Sequence, residues 1–142
     1  MATSSLCRRF GEILGAPATE MNGVCTVMRS RNNIRPVVLG KRGRSFLLTP
    51  QMFTFESIDR NGRALCSGET VILQEEINRF TSKLREHGIK VTAIHNHWLF
   101  DRPRLYFMHF EKIDRPLNFA RDVKDALGVL TTRTVSGTRR SR

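Results

Sequence analysis

The chain has 142 residues, enough for one domain with its own hydrophobic core. An apolar fraction of 39% and an aromatic fraction of 8% fit a globular chain and exclude a disordered one, and no stretch approaches the roughly 18 consecutive apolar residues of a membrane-spanning helix. The formal net charge of +11 is uneven: residues 1–50 carry eight Lys/Arg against two Asp/Glu, residues 51–130 twelve against eleven, and residues 131–142 four against none.

The first segment, "SSLCRRFGEILG", has apolar residues at positions 6, 10, 13 and 14, with Ser4 or Ser5 as N-cap and Gly15 as stop. It predicts a short amphipathic helix. Arg8 and Arg9 follow the first apolar residue and Glu12 sits where a secretory signal would be apolar, so the N-terminus does not read as one. "NGVCTVMRS" (22–30) is rich in strand formers. "RNNIRPVVLGKRGRSFLLTP" joins two short apolar runs through a basic glycine turn at Lys41–Arg44. Arg31, Arg35, Lys41, Arg42 and Arg44 make this the anion-facing candidate, and with the tail it could serve a nucleic acid or an acidic partner. A phosphate tracker spreads its cations over a folded face, however, so the charge pattern favours a solvated basic segment.

"QMFTFESIDRNGRALCSGETVIL" predicts a hairpin: Met52, Thr54 and Glu56 alternate with Phe53, Phe55 and Ser57, and Asn61–Gly62 suits a tight turn. "LQEEINRFTSKLREHG" places Leu73, Ile77, Phe80 and Leu84 on one helical stripe, with Glu75 and Glu76 early, Lys83 and Arg85 late, and Gly88 as stop. "IKVTAIHNHWLF" and "RLYFMHFEKI" predict two strands around an Asp101–Pro103 turn. "DRPLNFARDVKDALG" predicts a helix entered at Pro116, with a stripe of Phe119, Ala120, Val123, Ala126 and Leu127. "TTRTVSGTRRSR" (131–142) is polar and basic and reads as a flexible tail. Cys7, Cys25 and Cys66 are an odd number without CxxC spacing. They predict neither a disulfide framework nor a zinc knuckle, and each is expected to be an inert small hydrophobe in a reducing cytoplasm.

The order α-β-β-β-β-α-β-β-α, with hairpins in place of crossovers, predicts a single α+β domain over residues 1–130, a mainly antiparallel sheet carrying two to three helices. Within it, "TAIHNHWLF" and "LYFMHFEKI" hold the chemistry. Strand alternation puts His95 and His97 on one face. A turn centred on Arg102 would pair His95 with His109 and His97 with Phe107, gathering three imidazoles on that face. Such a cross-strand triad suits zinc or a similar divalent ion, with a water or carboxylate completing the shell. Candidate carboxylates are Glu69, Glu75, Glu76 and Glu111. The set predicts binding of a divalent metal or a small anionic ligand, and a metal-bound water would extend it to a hydrolase or isomerase. The contiguous His95-Asn96-His97 is not the dispersed motif of HNH nucleases. GxGxxG, P-loop, GxSxG and HExxH patterns are absent from the sequence.

Gly68-Glu69, Glu75–Glu76, Gly88-Ile89, Thr92-Ala93, His95-Asn96-His97, Pro103-Arg104, His109 and Phe119-Ala120 together resemble the repeated unit of the bacterial LppY/LpqO family, a domain of unknown function. The likeness runs over about residues 46–129. It implies that the histidines form a shared constellation, and it supplies no reaction. Some members are lipoproteins and others carry two copies; this sequence shows one copy and no lipoprotein signal.

Overall fold

A computed structural model describes residues 3–99 and 103–137. Helix α1 (Ser5–Leu14) is followed by strands β1 (Ala18–Met21), β2 (Val24–Ser30), β3 (Ile34–Arg35), β4 (Val37–Val38), β5 (Lys41–Arg42), β6 (Pro50–Glu56) and β7 (Ala64–Leu73). A 3-10 turn (Gln74–Glu76) leads into α2 (Ile77–Glu86), then β8 (Lys90–Asn96), β9 (Leu105–Asp114), α3 (Pro116–Leu127) and β10 (Val135–Ser136). Six strands form one antiparallel sheet in the order β1-β2-β6-β7-β9-β8. The α+β expectation is met. Among the described residues, no helix is long and apolar enough to cross a membrane.

Local chemistry explains the elements. Ser4 caps α1 by accepting a hydrogen bond from the Cys7 amide at 3.1 Å, and Gly15 ends it with φ of 80°. Asn22 and Gly23 both take positive φ (54° and 78°), the two-residue hairpin turn that such pairs favour, so "ATEM" becomes strand β1. The sequence reading passed over that Asn-Gly signal. Asn61–Gly62 makes no comparable turn: the loop is wider, and Asp59 organises it by accepting from the amides of Asn61 and Arg63 at 2.8 and 3.0 Å. In the basic segment the turn lies at Leu39–Gly40, which makes Lys41 and Arg42 strand β5 instead of the turn expected at 41–44.

One sheet face is dry. Phe10 and Leu14 of α1, Phe80 and Leu84 of α2, and Phe119 and Val123 of α3 pack against Val27, Phe53, Phe55, Cys66, Ile72, Met108 and Phe110. At Gly68 the ring of Phe110 lies so close to the strand that any Cβ would collide with it. Among the described residues, the opposite face is covered only at one end, where Ile34, Val71, Leu73 and Leu105 cluster with Trp98 and Val135. The remainder of that face is open.

Two expectations are corrected. Cys7 and Cys25 form a disulfide that ties α1 to β2, with Cα atoms 5.6 Å apart; the odd cysteine is Cys66, which is buried. Spacing along the chain could not reveal a pair brought together by a helix packing on a strand. The cytoplasmic expectation loses the ground it stood on, because disulfides persist mainly in oxidising compartments. Nor is all of 131–142 a loose tail. Val135 and Ser136 pair in parallel with Ile34 and Arg35, and the carbonyls of Thr131 and Arg133 each accept from Asn33 Nδ2 at 3.0 Å. Residues 138–142 of that expected tail lie outside the described residues.

Candidate functional site

Strand β9 sits between β7 and β8 and presents Phe107, His109 and Glu111 to the open face. From β7, Glu69 stands directly opposite His109. On the other side, Ala93 stands opposite His109 and His95 opposite Phe107. The expected pairing of His95 with His109 is therefore off by two residues, and the Arg102 turn centre lies outside the described residues. Because the shift is even, the three histidines keep a common face.

That outcome depends on a β-bulge. At the start of β8, Lys90 pairs with Glu111 and Val91 with Phe110, a register that would turn His95 and His97 toward the helices. An irregularity between Val91 and Ala93 inserts Thr92 as an extra residue and reverses the alternation. Thr92 donates its hydroxyl to Glu111 Oε1 at 2.9 Å.

The rings of His95 and His109 stack at 5.1 Å, with their Nε2 atoms 3.0 Å apart. His95 Nδ1 faces the Asn96 carbonyl oxygen at 3.1 Å, and His109 Nδ1 lies 3.4 Å from Glu69 Oε2. A ring nitrogen facing an oxygen acceptor carries the hydrogen. The two Nε2 atoms are at hydrogen-bond distance: either one ring donates its Nε2–H to the other, or, where both Nδ1 atoms carry the hydrogen, two lone pairs face each other and can share a cation. A single proton gives an Nε2–H···Nε2 bridge beside the Glu69 carboxylate. A metal at the usual Zn–N distance would subtend an angle of about 95° at the present separation, and opening it to about 3.3 Å makes the angle tetrahedral. The Asn96 carbonyl on His95 Nδ1 matches the second layer that orients metal-bound histidines, and the Glu69 carboxylate lies at ion-pair distance from His109 Nδ1.

His97 shares the face but not the pair. Its Nε2 donates to the Leu48 carbonyl at 2.9 Å, and its ring stacks on Trp98 at 4.5 Å and meets the edge of Phe107 at 4.3 Å. Burial pushes its pKa below the ordinary histidine value, outweighing the carbonyl that favours the protonated ring. His97 thus pins the segment ending at Leu48 onto the sheet. Glu76 is elsewhere. It is buried in a bidentate pair with Arg31, at 2.7 and 3.0 Å, and also accepts from the amides of Leu73 and Thr131. Arg31 is equally buried and leaves the anion-facing set, whereas Arg35, Lys41, Arg42 and Arg44 are exposed. Among the described residues no group of three His, Cys, Asp or Glu forms a ready-made metal cage.

Beside the pair is a hollow of about 220 Å³ whose walls include Met52, Thr54, Ser67, Glu69, His109 and Glu111. Thr54 and Ser67 were not singled out in the sequence; their even spacing from Met52 and Glu69 was the available signal, and it needed the order β6-β7-β9 to become meaningful. The Asn96 carbonyl was invisible for a different reason, since backbone acceptors leave no mark in composition.

Searches among curated proteins and among solved structures give no match. The model of a family described as Domain of Unknown Function (DUF1259) matches residues 8–129, which takes in most of α1, the whole six-stranded sheet, the histidine pair and α3, and the chain belongs to that family.

Proposed function

We propose that this domain binds a divalent metal ion of the zinc type through Nε2 of His95 and His109. Glu69 and the Asn96 carbonyl orient the two rings, and His97 and Glu76 are not ligands. The observation that carries this reading is the convergence of two Nε2 atoms at 3.0 Å, with His95 Nδ1 on the Asn96 carbonyl and the Glu69 carboxylate 3.4 Å from His109 Nδ1. Two protein ligands leave coordination positions open to water or to a bound molecule, the arrangement that metal-bound water chemistry requires. We further read the domain as a unit of the LppY/LpqO type, on the strength of its His95-Asn96-His97 and Pro103-Arg104 motifs with His109.

The test is metal analysis of protein purified without a histidine tag, exposed to zinc and dialysed. The reading expects about one zinc per chain, lost in both His95→Ala and His109→Ala. Negligible zinc in the parent protein, at a level equal to the variants, would overturn it.

A further inference from the structure

The hollow beside the histidine pair has a chemistry unlike the rest of the molecule. The chain carries 24 Lys and Arg against 13 Asp and Glu. Yet among the described residues the walls of the hollow hold two carboxylates (Glu69 and Glu111), two hydroxyls (Thr54 and Ser67) and no Lys or Arg. Among the described residues neither carboxylate forms an ion pair with a Lys or Arg: Glu69 lies against His109 Nδ1, and Glu111 accepts from Thr92 with Lys90 across from it in the strand pair. A phosphate or carboxylate ligand entering here would meet two carboxylates in the walls, offset only by Lys90 opposite Glu111 and by an ion on the histidine pair, so the walls themselves favour a donor over an anion. A ligand rich in hydroxyl groups meets the opposite situation. Its O–H groups can donate to carboxylate oxygens, which are strong acceptors, and accept from Ser67 and Thr54. Its C–H surface can lie on the Met52 side chain, which forms part of the wall. The position adds a further constraint, because His109 belongs both to the wall and to the Nε2 pair. A molecule seated in the hollow therefore lies beside one of the two rings that would hold an ion.

We propose that the hollow takes a neutral polyhydroxylated ligand, a sugar or cyclic polyol, whose adjacent hydroxyls complete the coordination of the ion on His95 and His109. This rests on the metal reading above, and it replaces the small anion expected from the sequence by a ligand class that the walls favour.

The experiment is an amide NMR titration of zinc-treated protein with ribose, glucose and myo-inositol, and separately with inorganic phosphate. Zinc alone reports on the metal reading, through shifts at residues 95–97 and 109. The polyols report on the hollow, through shifts at residues 52–54, 67–69 and 109–111. The proposal expects at least one polyol to shift the hollow amides, with affinity at least tenfold weaker in Glu111→Gln, and phosphate to leave them unmoved. Zinc shifts with no polyol response overturn the ligand class while leaving the metal site standing. Phosphate shifts in the hollow overturn it as well. Polyol binding without any zinc response would overturn the metal reading and, with it, coordination through the ligand's hydroxyls, leaving only the ligand class.

Discussion

The acceptor opposite each ring nitrogen separates His95 and His109 from His97. In the pair, both Nδ1 atoms meet oxygen and both Nε2 atoms are left to face each other; in His97 it is Nε2 that is spent, on Leu48. Replacing Glu69 by Gln removes the charge behind His109 and should weaken zinc binding about 10–100-fold, with the melting temperature little changed. A chelator competition assay reads this directly. Gly68 tests the other side of the same strand. A methyl group there meets the Phe110 ring, so Gly68→Ala should cost about 1–3 kcal/mol in urea unfolding. Arg29 shows how a lone guanidinium is accommodated: it donates to the Leu14 carbonyl at the end of α1 and to Gln51, at 2.8 and 2.7 Å. Burial, and then the charge of Arg31, lower its pKa. At this scale the residue types of the site were legible and their partners were not. His95, His109 and Glu69 follow from strand alternation and composition, whereas the bond from His97 to Leu48 joins segments 49 residues apart.

Among the elements, β8 governs the site through its bulge. Deleting Thr92 should restore the uninterrupted register, turn His95 and His97 toward the helices and abolish zinc binding. An antiparallel sheet retained by circular dichroism alongside lost zinc binding would support that account; a deletion variant that still binds zinc at full affinity would refute it. The disulfide acts on α1. Its cysteines are 18 residues apart, a loop whose closure contributes about 3 kcal/mol in the chain-entropy account. Cys7→Ser with Cys25→Ser, or treatment with a reductant, should lower stability by an amount of that order in thermal melts. Cys66 takes no part: it is free and buried, and burial, then the charge of Asp114, push its thiol up to about 12. The helices were legible from their apolar stripes and caps, since these are local signals. Register was not, because alternation fixes which residues share a face but a bulge can exchange the faces midway along a strand.

On the scale of the whole molecule, the buried pair of Arg31 and Glu76 fastens three distant segments: the end of β2, the entry to α2, and Thr131 after α3. Burial works against the Glu76 charge, but the Arg31 hydrogen bonds and charge, together with the Leu73 and Thr131 amides, bring its pKa below the ordinary 4.5. A carboxyl with a lowered folded-state pKa contributes stability above its unfolded value and loses that contribution as pH falls through the folded one. The protein should therefore lose stability on acidification below about pH 4.5. Glu76→Gln should be less stable at neutral pH by about 3 kcal/mol, with a flatter acid dependence in urea melts. The α+β class and the element order were readable because hairpin and helix signals alternate along the chain. The docking of residues 131–137 was not, since a polar basic segment looks the same whether it is solvated or held by Asn33 and Glu76.

The pair of histidines is the central claim, and calorimetric zinc titration of the parent protein and three single variants tests it most directly. The account predicts binding in the parent and in His97→Ala, and its loss in His95→Ala and in His109→Ala. Binding abolished equally by His97→Ala in a still-folded protein, or a parent that takes up no zinc, would contradict it.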